Sequence, residues 1–305
     1  MDFKDRLGRL RSAVSLGPSE AAEPAAKSPL DELRRKMAEI LVRPAAEPRA
    51  VVDPSVTDLG FVCHDTATGP LFTKTARFGA SHHVGRMPVS AGSDTSAAML
   101  ALLGLSPNLA TLDFRQALYL DTETTGLGGG AGVVAFLVGL GWFEAGGGLV
   151  VEQLLLRQPS EEVPLLEHLE QLISRASVLV TYNGKAFDLP VLGTRRVMNR
   201  LPPLPERPHL DLLHVGRRLH RERLGACRLV TLESEVLGFV RGEDIDGGQV
   251  PSRYSHYLAP ATRRLSGRWW STTAGTWSAW LLWSASTASR WGRCTNKTWS
   301  RWPGR

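Results

Sequence analysis

Apolar residues along this chain fall into short, uninterrupted runs that are separated by glycine-rich or polar segments. A run at 117–120 leads directly into Asp121, and a run this short is typical of a buried strand rather than a helix. Two further runs, at 133–143 and 149–156, are joined by glycines at 146–148. Three successive strands joined by glycine-containing turns predict an antiparallel meander.

Helical spacing begins after the meander. The segment 160–175 carries apolar residues on one face, and Ser160 precedes two glutamates that favour the positive end of a helix. A fourth strand is predicted at 177–182, and the turn at Asn183-Gly184 then opens a helix with Asp188 in its first turn. Together these elements predict an α/β domain. Other helices are predicted at 97–105, from His209 onward, and at 229–237.

The regions flanking these elements differ in composition. Residues 1–50 are rich in Ala, Pro, Glu and Arg, which predicts a mostly disordered segment. One helix is expected within it, at 29–42, where Ser28 and Asp31 form a capping box. That helix docks either on its own domain or on a partner. The predicted organisation continues with an N-terminal extension at 51–110, a main domain at 111–259 and a tail at 260–305.

Acidic residues follow two of the predicted strands. Asp121 and Glu123 are two positions apart, so on a strand their side chains share a face and repel each other unless a cation lies between them. Oxygen pairs of this kind suit Mg²⁺ or Mn²⁺. Asp188 follows another strand, at the end where open α/β sheets place their chemistry. The plain alternatives are solvated acids at a strand end and a charge at a helix N-terminus.

The basic character of the chain belongs to its tail. A formal charge of +6 and a pI near 9.5 suggest nucleic-acid binding at first sight. However, eight of the 36 basic residues lie within 260–305, which contains no Asp or Glu. The rest of the chain has 28 basic and 30 acidic residues, a net charge of −2. Net charge alone therefore does not identify a nucleic-acid-binding domain.

Other candidate sites are weaker. Cys63, His64, His82 and His83 match no zinc spacing. The glycine-rich segment 126–132 lacks the lysine of a phosphate-binding loop. Three cysteines without disulfide spacing, and an N-terminus without a signal peptide, favour a cytoplasmic protein. The uncharged run 269–289 is long enough to span a bilayer, but nine of its residues are Ser or Thr, so no membrane association is expected.

Two segments in order carry a family resemblance. Leu120-Asp121-Thr122-Glu123-Thr124-Thr125-Gly126-Leu127 resembles the first motif of the DnaQ-like exonucleases, and Thr181-Tyr182-Asn183-Gly184-Lys185-Ala186-Phe187-Asp188 resembles the second. Residues 208–214 and Arg253-Tyr254 resemble the spacer of the YprB-type branch. The resemblance covers about residues 55–259 and implies a ribonuclease H-like mixed sheet, an antiparallel meander plus parallel strands, flanked by helices.

The resemblance also implies a chemistry. The expected reaction is 3′-to-5′ phosphodiester hydrolysis at a single-stranded end of DNA or RNA, with two divalent ions, Mg²⁺ or Mn²⁺. Asp121, Glu123 and Asp188 would be three of four acidic metal ligands and the catalytic residues. Thr124, Leu127 and Asn183 would contact the substrate strand. Nothing in the sequence separates a DNA substrate from an RNA substrate, or identifies protein partners.

The third motif of that family is missing. It places a fourth Asp, preceded by His or Tyr, on a C-terminal helix, but no acid follows Asp246, and eight of the nine tryptophans lie between Trp269 and Trp302. We hypothesise that the chain from about residue 260 is read in a shifted frame. Reading one base earlier turns the codons of Thr272, Thr273 and Thr276 into codons for Tyr, His, Asn or Asp, and it permits Val-Val-Glu-His-Asn-Arg-Arg-Asp-Leu-Val-Ser-Leu.

The lost motif predicts that this translated product is a weak or inactive exonuclease. Two other classes of function compete with that interpretation. One is a non-catalytic nucleic-acid-binding module on the same fold. The other is a metal-dependent transferase that holds a nucleotide diphosphate on Asp121 and Glu123, but it requires a nucleotide-binding βαβ unit before the acidic pair, where the sequence predicts a mostly irregular segment.

Overall fold

The computed structural model describes residues 60–94, 96–126, 130–240 and 249–258. These residues all lie in one compact unit that begins at Asp53. The helix predicted at 29–42, the tail 260–305 and Leu127 lie outside the described residues.

A seven-stranded sheet organises the described part of the chain, in the order β1-β2-β7-β6-β5-β8-β9. Neighbouring strands are antiparallel from β1 to β5, whereas β5, β8 and β9 are parallel. A separate two-stranded sheet is formed by β3 and β4. The strands are β1 (Val62–Thr66), β2 (Gly69–Phe78), β3 (His83–Val84), β4 (Met87–Pro88), β5 (Ala117–Thr124), β6 (Ala135–Phe143), β7 (Leu149–Leu155), β8 (Val178–Thr181) and β9 (His209–Asp211).

Helices cover both faces of this sheet, and the predicted α/β fold, a mixed sheet flanked by helices, is confirmed. The predicted meander is β5-β6-β7, and β2 extends it by pairing with β7. The helices are α1 (Ser90–Ser93), α2 (Ala97–Gly104), α3 (Glu162–Arg175), α4 (Asp188–Met198), α5 (Leu212–Leu224), α6 (Leu229–Leu232), a π-helical turn (Glu233–Leu237) and α7 (Val250–Leu258).

Strand β5 divides its side chains between two hydrophobic clusters, because successive residues of a strand point to opposite faces. Leu118 and Leu120 pack into the cluster that contains the apolar face of α3. Tyr119 packs into the cluster on the other face, which contains buried residues of α2 and α5. The same alternation assigns Asp121 and Glu123 to the α5 face.

Two local expectations differ from the structure. His209 does not open a helix; it begins the short strand β9, which pairs with β8 from Leu179 to Thr181. Ser160 does not cap α3, because a 3₁₀ turn over Pro159–Glu161 precedes the helix and makes Glu161 the N-cap residue. A proline with a fixed φ favours such a tight turn at a helix start.

None of the helices in the described ranges combines the length and the apolar composition that a membrane crossing requires.

Candidate functional site

The first two acidic residues lie near the carboxyl end of β5. Asp121 and Glu123 are both half-buried, and Asp121 pairs in register with Gly139 of β6. Between them, Thr122 is buried and donates a hydrogen bond of 2.5 Å from Oγ1 to Oδ1 of Asp188. This bond joins the two predicted motifs across 66 residues of sequence.

Asp188 is the first residue of α4 and is only 2% exposed. Burial raises the pKa of its carboxyl to about 6, since the charged form loses water. Hydrogen bonds from Thr122 act in the opposite direction, and the nearby charge of Asp211 adds to the rise. The carboxyl therefore exchanges its proton near neutral pH.

The turn that leads into α4 is held by a buried aspartate from another strand. Asp211 is 5% exposed. Its Oδ1 accepts hydrogen bonds from the backbone N–H of Asn183 at 2.8 Å and of Leu213 at 3.1 Å. Its Oδ2 accepts one from the backbone N–H of Lys185 at 3.1 Å. The bonds from Asn183 and Lys185 hold the turn in which Asn183 adopts a left-handed conformation, with φ of 68°. The bond from Leu213 ties this turn to the N-terminus of α5.

A second set of contacts supports the same turn. The Gly184 N–H donates to Thr181 Oγ1 at 3.2 Å, and Thr181 Oγ1 also lies 2.8 Å from Nε2 of His209. A Cβ at position 184 would lie 2.5 Å from Cβ of Thr181, so this close approach requires glycine. Burial, aided by the charge of Lys185, lowers the pKa of His209 to about 4. His209 is therefore neutral at pH 7.

The three residues predicted to contact substrate have different environments. Thr124 is buried, and its hydroxyl donates to the carbonyl of Gly126 at 2.8 Å. Asn183 is exposed on the turn that Asp211 holds. Leu127 lies outside the described residues, so its predicted contact stays a prediction.

The donor atoms near the β5 end suit a divalent ion in chemistry, because they are carboxylate oxygens. The positions of the three carboxylates, however, do not form one cluster. Asp188 lies against Thr122, whose side chain alternates to the face opposite Asp121 and Glu123. Within residues 60–94, 96–126, 130–240 and 249–258, no group of three or more His, Cys, Asp or Glu side chains is arranged to hold a metal ion. The bond from Thr122 engages only Oδ1 of Asp188, and a carboxylate has further acceptor sites, so Asp188 can join an ion at Asp121 and Glu123 without losing this bond.

Sequence reasoning missed two residues that shape this site. The two-residue period of β5 gives Thr122 no role in the site, and the helix predicted from His209 onward places Asp211 within a helix. One local signal for Asp211 was present, since an aspartate directly before an apolar helical run is a preferred N-cap. Its bonds to Asn183 and Lys185 bridge 28 and 26 residues, and no local pattern predicts them.

Comparison with known families supports the superfamily. Residues 118–269, about half of the chain, match the model of the RNase H superfamily. The uncharacterised protein YprB of Bacillus subtilis is 43% identical over 159 residues, which cover 51% of this chain and 38% of YprB. The chain thus matches little more than a third of that relative's length.

Solved structures with a similar arrangement were also found. A family B DNA polymerase from the archaeon Pyrobaculum calidifontis aligns over 59% of this chain and 24% of its own, with 16% identity and a TM-score of 0.40. Exonuclease I of E. coli, in complex with a dT13 oligonucleotide, aligns over 59% of this chain and 42% of its own, with 14% identity and a TM-score of 0.39.

Proposed function

Since the chain belongs to the RNase H superfamily as a YprB-type protein, we propose that its nuclease-type function is metal-dependent, 3′-to-5′ exonucleolytic hydrolysis of phosphodiester bonds. The substrate is a single-stranded end of DNA or RNA. The observation that carries this proposal is the hydrogen bond between Thr122 and Asp188, which brings the second acidic motif to the strand of the first.

Asp121 and Glu123 would hold a divalent ion, and Asp188 would join them with carboxylate acceptor sites that its bond to Thr122 does not use. Two such ions, when bound, lower the pKa of an attacking water and stabilise the leaving oxygen. The protein's own contribution is the placement of negative charge. Asp121 and Glu123 lie on strand β5, and Asp188 starts a helix whose preceding turn is bound by Asp211.

Substrate placement falls to the two motif loops. The exposed Asn183 side chain projects from a turn whose backbone cannot move without breaking bonds to Asp211. Thr124, bonded to the Gly126 carbonyl, fixes the start of the loop after β5. We propose that the 3′-terminal nucleotide lies between these loops, with Leu127 against it.

The missing third motif limits the activity. The family's fourth acid has no counterpart after Asp246, so the metal site lacks one ligand and its hydrolysis is weak or absent in this chain. The shifted frame explains this loss. Nucleotide sequencing of the gene tests it directly: an intact frame, with no His-Asn-Arg-Arg-Asp encoded in the neighbouring frame, removes the explanation.

Metal binding and hydrolysis are measured together on the full chain. We expect Mn²⁺ to raise the melting temperature of the wild type, and Asp121→Ala or Asp188→Ala to reduce that rise. Asp113→Ala serves as the control, since Asp113 caps a 3₁₀ turn before β5. In parallel, 5′-labelled single-stranded DNA and RNA should be shortened slowly from the 3′ end, and only with Mn²⁺. Robust trimming abolished by Asp121→Ala would contradict the predicted impairment, whereas trimming unaffected by Asp121→Ala would contradict the nuclease assignment.

One observation favours a second function. The described residues contain no three-carboxylate metal site, as expected of a non-catalytic nucleic-acid-binding module. Such a module would bind the same oligonucleotides in EDTA with unchanged affinity in Asp121→Ala, and Mn²⁺ would produce no shortening.

A further inference from the structure

Three exposed basic residues lie on segments of the chain that meet at the turn that carries the second acidic motif. Lys185 lies within this turn, Arg217 lies on α5, and Arg228 lies just before α6. We refer to these three residues as the basic cluster. None of their charged groups forms an ion pair or hydrogen bond with the described part of the chain.

Contacts around Tyr182 bring the two arginines to this place. The Tyr182 hydroxyl donates a hydrogen bond to the carbonyl of Cys227, the residue before Arg228. The Cys227 thiol in turn lies 3.6 Å from the carbonyl of Gly216, the residue before Arg217. The chain after α5 therefore folds back along that helix to the end of β8.

Electrostatic effects on two neighbouring groups agree with this placement for Arg217 and Lys185. Burial raises the pKa of Tyr182, and the charge of Arg217 opposes that rise. The charge of Lys185 helps to lower the pKa of His209. Both effects require the cations to lie close to the end of β8.

The acids in this neighbourhood do not neutralise the cluster at the surface. Asp211 and Glu233 are near Tyr182, but they are 5% and 0% exposed, and Asp211 already accepts three backbone hydrogen bonds. Among the described charged groups that these contacts bring to the end of β8, the exposed ones are therefore the three cations. This local excess contrasts with the net charge of −2 of residues 1–259.

We propose that Lys185, Arg217 and Arg228 form a phosphate-binding surface that holds the backbone of a nucleic-acid strand beside Asn183, close to the end presented to Asp188. This inference rests on the proposed function, because it assigns the same substrate to a second surface. Guanidinium groups match phosphate oxygens in a fork geometry, and a lysine adds a point charge. The surface reads no bases, so it holds strands of different sequence equally well.

Binding of a fluorescein-labelled single-stranded thymidine oligonucleotide, followed by anisotropy in EDTA, tests the surface without hydrolysis. For the double variant Arg217→Gln/Arg228→Gln we expect the Kd to rise about tenfold. The slope of log K against log salt should become shallower by about 1.4, since each phosphate contact on a single strand contributes about 0.7. For Lys185→Gln alone, the slope of log K against log salt should become shallower by about half as much.

Arg175→Gln is the matched control. Arg175 is also exposed and unpaired within the described residues, but it ends α3, just before the opposite end of β8. The Arg175→Gln substitution removes one positive charge away from the proposed surface. The basic tail is the same in every variant, so it does not contribute to the difference between them. Circular dichroism should show an unchanged fold for all of these exposed substitutions.

The outcomes separate this inference from the proposed function. Wild-type affinity in the double variant, or an equal loss in Arg175→Gln, overturns the surface even if Mn²⁺-dependent trimming is observed. Loss of binding in the double variant but not in Arg175→Gln supports the surface even if no variant trims. A wild type that neither binds nor trims the oligonucleotide overturns both.

Discussion

The two sides of the candidate site are held in different ways. On the β8 side, the turn before α4 is bound by Asp211 and Thr181, and both are buried and fully engaged. On the β5 side, Asp121 pairs with Gly139, and Gly139 pairs with Gln153 of β7. The two polar residues are therefore separated across the sheet by a glycine, which has no side chain. Gln153 is 1% exposed, yet neither its amide nitrogen nor its amide oxygen has a hydrogen-bond partner.

The polar groups of the β8 side have their hydrogen-bond partners, whereas the Gln153 amide on the β5 side does not. A buried polar network whose members are all satisfied is rigid and positions its residues before any ligand arrives. A buried amide without partners costs free energy, and such violations of folding rules concentrate at functional sites. Substitutions that break the hydrogen bonds of the β8 side should therefore lower the free energy of unfolding. Replacing the buried amide on the β5 side should raise it.

The largest effect is expected from Asp211→Ala. The substitution leaves three backbone N–H groups without their acceptor, one of them buried and two partly buried, and we expect a loss of about 3–5 kcal/mol in the free energy of unfolding. Urea denaturation measures it. Asp113→Ala is the matched control, because Asp113 also accepts from a backbone N–H two residues on, but its side chain is 40% exposed. It should cost about 1 kcal/mol or less. Equal costs in the two variants would refute the difference in rigidity.

The next effect is the dependence of stability on pH, to which Asp188 and His209 contribute with opposite signs. The pKa of Asp188 is raised to about 6 in the folded state, so the folded state holds the proton more tightly. The stability from this group is present below pH 4 and is lost as the pH rises to about 6, by about 3 kcal/mol. The pKa of His209 is lowered to about 4, so its contribution is lost as the pH falls from 6.5 to 4, by about 2–3 kcal/mol.

Removing either group should reveal the other. We expect Asp188→Asn to gain stability at pH 7 and to show a free energy of unfolding that rises with pH from 4 to 6.5. His209→Gln should instead show one that falls between pH 4 and 6. Both are read as differences from the wild type in urea titrations at each pH. Parallel pH curves for the two variants would contradict the opposing shifts.

The two sides also differ in how far the sequence predicts them. Asp121 and Glu123 follow from the two-residue period of β5, which is local information, and the helix opening at Asp188 follows from the turn at Asn183. The contact of Asp188 with Thr122 joins residues 66 apart, and no periodicity indicates it. Strand β9 has only three residues, and it exists because it pairs with β8. A pattern that short cannot be distinguished from the start of a helix.

On the β5 side, Gln153→Leu should stabilise the protein. The two side chains have similar volumes, and leucine removes a buried amide without hydrogen bonds, which costs about 1–3 kcal/mol. Differential scanning calorimetry should show a higher melting temperature. Gln158→Leu, at an exposed position before α3, should change the stability by less than about 0.5 kcal/mol. Destabilisation by Gln153→Leu would mean that the amide is satisfied in solution, and the contrast between the two sides would disappear.

The smallest effect lies where the two sides meet, at the bond between Thr122 and Asp188. Thr122→Val keeps the shape of the side chain and removes the hydroxyl that donates to Oδ1, so the pKa of Asp188 should rise above its value of about 6, since this bond favours the charged form. At pH 7 the cost should be about 1.5 kcal/mol, the lower end of the range for a hydrogen bond to a charged group. Carboxyl carbon chemical shifts measured by NMR across pH 4 to 8 report the pKa directly.

Thr124→Val is the control, because its hydroxyl on the same face of β5 donates to the Gly126 carbonyl instead, and it should leave the titration of Asp188 unchanged. Should both valine variants titrate like the wild type, the bond between the two motifs would contribute nothing to the charge of Asp188, and the second motif would be held by the β8 side alone.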